Sequence, residues 1–376
     1  SSMSILGQPM LISLSMPSWI RLPKMCVSQR CKLINKNTDC SFYPLSFVHQ
    51  PIMSEFSLIH THFKHLTAPH QHTVLGIGDD CAISNIPPNS QLVSCVDTLV
   101  AGRHFVHETS PHAIAYKSVA VNLSDLASMG ATPYAILVGL SLPKFMANDN
   151  FCQAFAEGLA AACTPFGIEL IGGDTTSSPI LTISVTALGF VPHGQAITRQ
   201  GACVGDVVCV SGTVGLASLA LHGILDDLHG DGHANRPPKS LPEKLRQAMQ
   251  YPAPQVALGR QLIGFANSMI DISDGLGQDL GHILTASNVG AVIDLDAIPS
   301  DALLDALPHA QKWQHQINGG DDYQLCLTMT KANFKQFNQS YPNSIFAIGE
   351  IVAQEGLTLI FNHQKVDLTV QGWEHF

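Results

Sequence analysis

The chain has 376 residues, of which 45% are hydrophobic and 13% are charged, so it can bury sizeable cores and is not disordered as a whole. The length suggests two domains. The formal net charge is -10, with 29 acidic and 19 basic residues, which argues against a nucleic-acid binder because such a protein needs a basic face.

Cysteine usage and hydropathy indicate a reduced, cytoplasmic protein without a membrane partner. None of the cysteines is spaced as C-x-x-C, and most lie in apolar runs such as FCQAF, where cysteine behaves as a small hydrophobic residue. No apolar run approaches the roughly 18 residues of a membrane helix. The first residues lack the basic leader of a signal peptide.

Residues 1–52 differ from the rest of the chain. Their charged residues are nearly all basic, and their hydrophobic residues follow no clear helix or strand period. The sequence MSEFSLIHTHF from Met53, in contrast, resembles a natural protein start. We interpret 1–52 as a dispensable N-terminal extension, and the alternative is a genuine N-terminal arm.

From Met53, strand and helix patterns alternate. QLVSCVDTLV, YAILVGLSL, IELIGG and LTISVTALGFV are apolar runs typical of strands. A helix is predicted after Ser110, because Ser110 can cap it and Pro111 suits its first turn, and Gly130 can end it. NFCQAFAEGLAAACTPFG predicts a second helix. We therefore predict an α/β domain over 53–194.

The second half repeats this organisation. DVVCVSG, SMIDIS, GAVIDLDAI, DYQLCLTM and FAIGEIV are strand candidates, and GLASLALHGIL, PQVALGRQLIGFA and LGQDLGHILTAS are helix candidates. We predict a second α/β domain over 195–376, and hence a two-domain α/β fold of the α+β type.

Aspartate recurs where apolar elements end. Each case alone is ordinary turn chemistry, because aspartate beside glycine favours turns. Six such motifs together suggest carboxylates that converge on one place. They are GIGDDC (Asp79, Asp80), CVDTL (Asp97), NLSDLASMG (Asp125), IGGDTT (Asp174), DISDGLGQD (Asp271, Asp274) and NGGDDYQL (Asp321, Asp322).

One face of the helix that begins near Pro111 carries three polar residues, Ser118, Asn122 and Asp125, at i, i+4 and i+7. Their neighbours are apolar, so the stripe is predicted to be buried and its polar groups need partners. Either the stripe forms internal hydrogen bonds or it meets a metal ion or ligand.

Close carboxylates do not all stay ionised unless cations are present. Mg²⁺ takes one or two protein carboxylates and completes its shell with water and phosphate oxygens, so several Mg²⁺ ions would turn an acidic cleft into a phosphate site. Glycines in GIG, IGGD and NGGD allow backbone N–H groups to approach phosphate. The Walker loop, the dinucleotide fingerprint and the G-x-S-x-G elbow are absent from the sequence.

Histidines occur in two settings. A group near Met53, at positions 60, 62, 65, 70 and 72, resembles a metal tract, although such surface pairs are usually solvated. His104, in AGRHF, follows Asp97 by seven residues and is a candidate substrate contact.

With these motifs in order, the region from about Met53 to Phe376 resembles the thiamine-monophosphate kinases of the aminoimidazole-ribonucleotide synthetase-like ATP-binding superfamily. The motifs are EFSLI, LGIGDDCA, DTLVAGRHF, AYKSVAVNLSDLASMGA, LIGGDTT, ITRQGA, IDISDGLGQDLGHI, GGDDYQLC and GWEHF. Each is weak alone, whereas nine in order are specific.

The resemblance implies two α/β domains, the first contributing strands to a barrel shared between the subunits of a homodimer. It also implies Mg²⁺-dependent transfer of the γ-phosphoryl group of ATP to thiamine monophosphate, which gives thiamine diphosphate and ADP. Such a transfer needs positioning and charge neutralisation more than a covalent nucleophile, and no catalytic nucleophile is expected.

The resemblance further implies roles for individual residues. The implied metal-binding positions are Asp80, Cys95, Val96, Asp97, Asp125, Asp174, Asp271 and Asp274. The implied ATP contacts are Gly173, Asp174, Arg199 and Ser273. The implied contacts to thiamine monophosphate are His104, Asp321 and Trp373. Two alternatives stay open, a surface salt bridge for Arg199 and C-terminal packing for Trp373.

Three features depart from the family pattern. Cys95 and Val96 stand where the family has Ser or Thr, so a hydroxyl ligand is lost there and only a backbone carbonyl remains. Asp321 replaces the usual Glu and is one methylene shorter, which reduces its reach toward substrate. Residues 1–52 have no counterpart in the pattern.

Two other functions are compatible with parts of the sequence. One is another ATP-dependent enzyme of the same superfamily, although a selenophosphate synthetase would need a reactive cysteine in an N-terminal glycine-rich loop, and no such loop is found. The other is a non-catalytic domain that binds Mg²⁺ and nucleotide for regulation. Turnover of thiamine monophosphate separates both from the kinase.

Overall fold

A computed structural model of the chain describes residues 55–229 and 241–372. The interpretation of 1–52 as an extension and the role of Trp373 therefore lie outside the described residues. None of the helices described is long and apolar enough to cross a membrane.

The described residues form both helices and strands in each half of the chain. The α-helices are α1 (Glu55–Leu58), α2 (Pro111–Ser128), α3 (Asp149–Cys163), α4 (Leu216–His229), α5 (Glu243–Gln250), α6 (Val256–Gln261), α7 (Leu276–Ser287), α8 (Ala302–Asp305), α9 (His309–Asn318) and α10 (Lys331–Ser340). The strands are β1 (Thr73–Leu75), β2 (Ile83–Ser84), β3 (Ser90–Val100), β4 (Thr132–Leu142), β5 (Glu169–Ser177), β6 (Thr182–Pro192), β7 (Val207–Val210), β8 (Ser268–Asp271), β9 (Gly290–Asp294), β10 (Leu325–Met329), β11 (Phe346–Val352), β12 (Gly356–Phe361) and β13 (Gln364–Val366).

The first half of the chain builds a four-stranded sheet in the order β3-β6-β4-β5. β6 is antiparallel to both β3 and β4, whereas β4 and β5 are parallel. α2 packs against β3 and β6, and α3 packs on α2. The face of β3 that points away from α2 is open, since Leu92 is 46% and Val96 is 62% exposed.

α2 begins and ends as its sequence predicts. The hydroxyl of Ser110 accepts a hydrogen bond from the backbone N–H of Ala113 (3.2 Å), Pro111 occupies the first turn, and the chain turns at Gly130 with φ of 71°. The middle of the helix is buried on nearly all sides. A helix buried in this way can bring polar side chains to an interior site.

The second half builds a seven-stranded sheet in the order β13-β12-β9-β11-β7-β10-β8. α7 buries Leu276, Leu280 and Ile283 in a core shared with strand residues such as Val208 and Ile270. All five strand candidates of this half are present. α6 is shorter than PQVALGRQLIGFA predicts, because it ends at Gln261 and the chain turns there.

Candidate functional site

A cavity of about 620 Å³ lies between the two halves of the described fold. On one side it is lined by residues of β3 and of the helix α2, and on the other by residues of β8, α4 and the segment before β10. Its lining includes six of the residues singled out in the sequence, namely Asp97, His104, Asp271, Ser273, Asp274 and Asp321. Asp97 and His104 come from the first half of the chain and the other four from the second. The fold therefore joins motifs that are up to 224 positions apart, as the sequence numbers of Asp97 and Asp321 show (321 - 97 = 224).

Four aspartates interact electrostatically beside this cavity. Burial and the negative charges of Asp271 and Asp97 raise the pKa of Asp125 to about 8. Burial and Asp97 likewise raise the pKa of Asp271 to about 6, and burial and Asp274 raise that of Asp97. Such mutual repulsion in a buried setting is the condition under which bound cations are favoured.

The polar stripe of α2 divides between the two alternatives left open by the sequence. Ser118 donates to the carbonyl of Ala115 (2.8 Å), and the amide of Asn122 donates to the carbonyl of Ser118 (2.9 Å). Asn122 Oδ1 also accepts from the backbone N–H of Asp97 (3.1 Å). Internal bonds thus satisfy Ser118 and Asn122, and Asn122 positions the β3 aspartate, whereas Asp125 faces the other carboxylates.

The loop that carries Ser273 and Asp274 is held by Asp279, which the sequence reasoning had not singled out. One carboxylate oxygen of Asp279 accepts from the backbone N–H groups of Ser273 (3.0 Å), Asp274 (3.1 Å) and Gly275 (3.2 Å). Asp279 lies in the first turn of α7, where an acidic side chain can reach back over the helix start. The available signal was the second aspartate of DGLGQD.

A second missed residue, Lys117, connects the two predicted acceptor contacts. Its side chain is buried within α2, and Nζ donates to Asp321 Oδ2 (2.8 Å) and to the carbonyl of His104 (3.3 Å). The hydroxyl of Tyr323 donates to the other oxygen of Asp321 (2.9 Å). The signal for Lys117 was a single charge inside the apolar run AYKSVAV.

His104 is held in one orientation by its own loop. Its Nδ1 accepts a hydrogen bond from the backbone N–H of Val100 (3.0 Å). In a neutral imidazole the proton then resides on Nε2, so the ring can donate a hydrogen bond from that atom. A donor at the cavity wall suits a phosphate oxygen.

Asp80 and Asp174 are not among the lining residues of this cavity. Asp80 is exposed in the loop between β1 and β2, where its N–H donates to Asp79 Oδ1 (2.8 Å). This bond is a local turn contact made by the side chain of Asp79. Asp174 is exposed on β5, the opposite edge of the first sheet from β3.

The register of the sheet sets the distance between these regions. Asp97 pairs with Val185, Val185 with Val138, and Val138 with Gly173. Three strand spacings separate Asp97 from Gly173, which is about 14 Å. Gly173 also has a packing reason to be glycine, because a Cβ there would lie 2.1 Å from the carbonyl oxygen of Val138.

The departures at positions 95 and 96 differ in their surroundings. The thiol of Cys95 donates to the carbonyl of Asn122 (3.3 Å), and burial with the charges of Asp125 and Asp97 raises its pKa strongly. Cys95 therefore stays protonated beside the cluster. Val96 points to the open face of the sheet, because neighbouring strand residues alternate sides, so its side chain faces away from the aspartates.

Arg199 is a cation whose charge acts on two aspartates of this cluster. It is exposed, and its charge partly offsets the upward pKa shifts of Asp125 and Asp271. Ser273 lies at the cavity wall. Of the implied ATP contacts, Ser273 therefore lines the cavity, whereas Gly173, Asp174 and Arg199 are not among its lining residues.

The clustered carboxylates fit Mg²⁺ as partial ligands, with water and phosphate oxygens completing the shell. Among residues 55–229 and 241–372, no three His, Cys, Asp or Glu side chains lie close enough to hold one ion by themselves. Mg²⁺ commonly takes only one or two carboxylates and completes its shell with water and phosphate. Asp97, Asp125, Asp271 and Asp274 offer hard oxygen ligands whose repulsion such ions would relieve.

Both halves of the chain match known sequence families. Residues 78–191 match AIR synthase related protein, N-terminal domain, and residues 204–362 match AIR synthase related protein, C-terminal domain. A thiamine-monophosphate kinase from Escherichia coli (strain K12) is 39% identical over 327 residues, which are 86% of this chain and 98% of that protein.

Solved structures are similar as well. The thiamine-monophosphate kinase from Stenotrophomonas maltophilia K279a has a TM-score of 0.72 and 40% identity, over 82% of this chain and 96% of that chain. A structure described as AaThiL complexed with AMPPCP and TMP has a TM-score of 0.65 and 28% identity, over 78% of this chain and 89% of that chain.

Proposed function

This chain belongs to the thiamine-monophosphate kinase family of AIR synthase related proteins, and we propose accordingly that it transfers the γ-phosphoryl group of ATP to thiamine monophosphate. The products are thiamine diphosphate and ADP. The observation that carries the proposal is the aspartate cluster beside a cavity that also contains His104 and Asp321. AMPPCP, the nucleotide named for one similar structure, is an ATP analogue, which supports ATP as co-substrate.

The chemistry explains why the proposed transfer needs no covalent nucleophile from the chain. Both the donor and the acceptor are phosphates, so the chain has to bring two anions together and to hold them in line. Mg²⁺ bound by Asp97, Asp125, Asp271 and Asp274 would supply the positive charge that the transferring phosphoryl group needs. The acceptor oxygen belongs to a phosphate, which is already largely ionised near neutral pH, so a strong general base is unnecessary.

His104 and Asp321 position the acceptor, thiamine monophosphate, in this proposal. His104 presents an Nε2–H donor, because its Nδ1 accepts from Val100, and this donor would bind a phosphate oxygen of thiamine monophosphate. Asp321 is held by Lys117 and Tyr323 on either oxygen. These two bonds fix where the carboxylate lies.

Asp279 positions the donor side. Its carboxylate fixes the backbone of Ser273 and Asp274, so that the hydroxyl of Ser273 and the carboxylate of Asp274 face the cavity. Arg199, with its planar five-donor guanidinium, would bind ATP phosphate. Asp80, Gly173 and Asp174 are proposed as further contacts to metal and ATP, and Cys95 and Val96 as positions that offer only backbone carbonyls.

We propose a homodimer in which the first sheet joins that of a second copy in a shared barrel, with domains at 53–194 and 195–376. β3 and β5 form the two edges of this sheet, and the open face carries Leu92 and Val96. An exposed apolar sheet face with two free edges is suited to a second copy of itself. The cytoplasmic location stays a prediction from the cysteine pattern, and the seven described cysteines are free thiols.

The proposed reaction is tested by turnover. Purified protein, ATP, Mg²⁺ and thiamine monophosphate are incubated, and thiamine diphosphate is measured after oxidation to its fluorescent thiochrome form. Wild-type protein should form thiamine diphosphate, and Asp271→Asn should form little while keeping its circular dichroism spectrum. Wild-type protein that binds ATP and Mg²⁺ without turnover would instead support the regulatory nucleotide-binding domain.

A further inference from the structure

One wall of the cavity is not used by the proposed transfer. It is formed by Ser218, Leu221 and His222 of α4. The aspartates, His104 and Asp321 account for phosphates and their counter-ions, but thiamine monophosphate also has an aminopyrimidine ring.

The two faces of α4 differ in what they cover. Ala217 and Ala220 are buried and belong to a core cluster that includes Leu245 of α5. Four residues share the opposite face at i, i+3, i+4 and i+7, namely Ser218, Leu221, His222 and Leu225. Leu221 is 37% exposed although it lines a cavity. It therefore offers apolar surface to whatever fills that space.

One hydrogen bond decides which ring nitrogen of His222 is a donor and which is an acceptor. Its Nδ1 lies 3.0 Å from the carbonyl oxygen of Ser218, and because a carbonyl oxygen only accepts, Nδ1 carries the proton. In the neutral ring Nε2 is then an acceptor. The ring also packs edge-on against the buried His315, with centroids 4.9 Å apart, and His315 Nδ1 lies 3.0 Å from Ser218 Oγ.

Two glycines connect this wall to the aspartate cluster. A Cβ on Gly319 would lie 2.4 Å from Cβ of Ser218, and a Cβ on Gly320 would lie 2.4 Å from the carbonyl oxygen of Ser273. Consecutive Cα atoms are about 3.8 Å apart, so the α4 wall and the Ser273 loop are separated by little more than one peptide. A single small ligand can therefore reach both.

The following inference rests on the proposed function. We propose that Ser218, Leu221 and His222 form the subsite for the aminopyrimidine ring of the acceptor. Leu221 packs against the face of the ring, and Nε2 of His222 accepts a hydrogen bond from its exocyclic amine. The phosphate of thiamine monophosphate then extends toward His104 and the aspartates that line the same cavity.

The adenine of ATP carries a similar exocyclic amine, so the two sources need to be separated. The cavity contains His104 and Asp321, the residues implied for the acceptor. Of the four residues implied for ATP, Ser273 belongs to its lining, whereas Gly173, Asp174 and Arg199 do not. This distribution favours the acceptor ring over adenine.

The test compares Leu221→Gln and His222→Phe with a control, Leu225→Gln, which changes an equally exposed leucine one turn further along the same helix. We expect the KM for thiamine monophosphate to rise roughly tenfold in each subsite variant, the effect of one lost hydrogen bond or apolar contact. The KM for ATP and the melting temperature should stay at the wild-type values in all three. The control should leave both KM values unchanged.

A binding measurement separates this inference from the proposed reaction. Thiamine itself lacks the phosphate, and its affinity is measured by calorimetry without turnover. Weaker thiamine binding in both subsite variants supports the subsite even if no thiamine diphosphate is ever formed. A rise in the KM for ATP instead would assign the wall to adenine, and unchanged thiamine affinity, or no thiamine binding by wild-type protein, would overturn the proposal.

Discussion

The Lys117–Asp321 ion pair is predicted to be energetically asymmetric. Only 5% of the Lys117 side chain is exposed, against 36% of the Asp321 side chain, and Nζ lies 2.8 Å from Oδ2. Asp321→Asn removes the negative charge and leaves a buried ammonium with a neutral amide and one carbonyl. Such a charge without its partner costs about 3 kcal/mol, the lower end of the usual range because the His104 carbonyl remains.

The reverse variant should cost much less. Lys117→Met keeps an unbranched side chain in the helix, and the remaining carboxylate of Asp321 is accessible to water and still accepts from Tyr323. We expect a loss of about 1 kcal/mol, as for a solvated pair. The double variant should lose less than the sum of the two, because neither partner is then left alone.

Urea unfolding followed by circular dichroism measures these differences. Lys331→Met is the matched control, because Lys331 forms an exposed pair with Glu350 at a similar distance, 3.0 Å, and should change stability by less than about 1 kcal/mol. The reasoning fails if Lys117→Met is as destabilising as Asp321→Asn, since the exposure of the remaining partner would then not decide the loss.

Other expectations concern the loop, the open sheet face, one histidine and the cluster. Asp279→Ala should lower the unfolding free energy by about 2 kcal/mol, whereas Asp279→Asn, which keeps an acceptor, should lose less; urea titration compares them. Val96→Glu should yield a monomer by light scattering, and a dimer would argue against the barrel. Burial and His222 lower the pKa of His315, so stability falls below about pH 6.5 as the unfolded chain takes up the proton, and His315→Asn should flatten this loss in pH-dependent melting. Asp125→Asn should have a higher melting temperature than wild type without Mg²⁺, because repulsion is relieved, and Mg²⁺ should raise that temperature by less. If Mg²⁺ raises the melting temperature of the variant as much as that of wild type, Asp125 does not bind the ion.

Much of the candidate site could be predicted because its residues follow local rules. Ser110 and Pro111 predict the start of α2, because serine caps a helix and proline fits its first turn. The helical period of 3.6 residues then places Ser118, Asn122 and Asp125 on one face. Lys117 could not be assigned in the same way. Its partner Asp321 lies 204 positions away, and no local pattern specifies a contact at that separation.

The sequence by itself determined the kinds of groups that the site contains. Aspartates, glycines and a histidine occur in ordered motifs, and local chemistry is sufficient to identify motifs of that kind. The tertiary structure decided which of them meet. It placed Asp97 and Asp125 with Asp271 and Asp274, left Asp80 and Asp174 out of the cavity lining, and put α4 against the same cavity. The physical reason is that strand pairing and core packing, rather than motif composition, set distances between segments far apart in the chain.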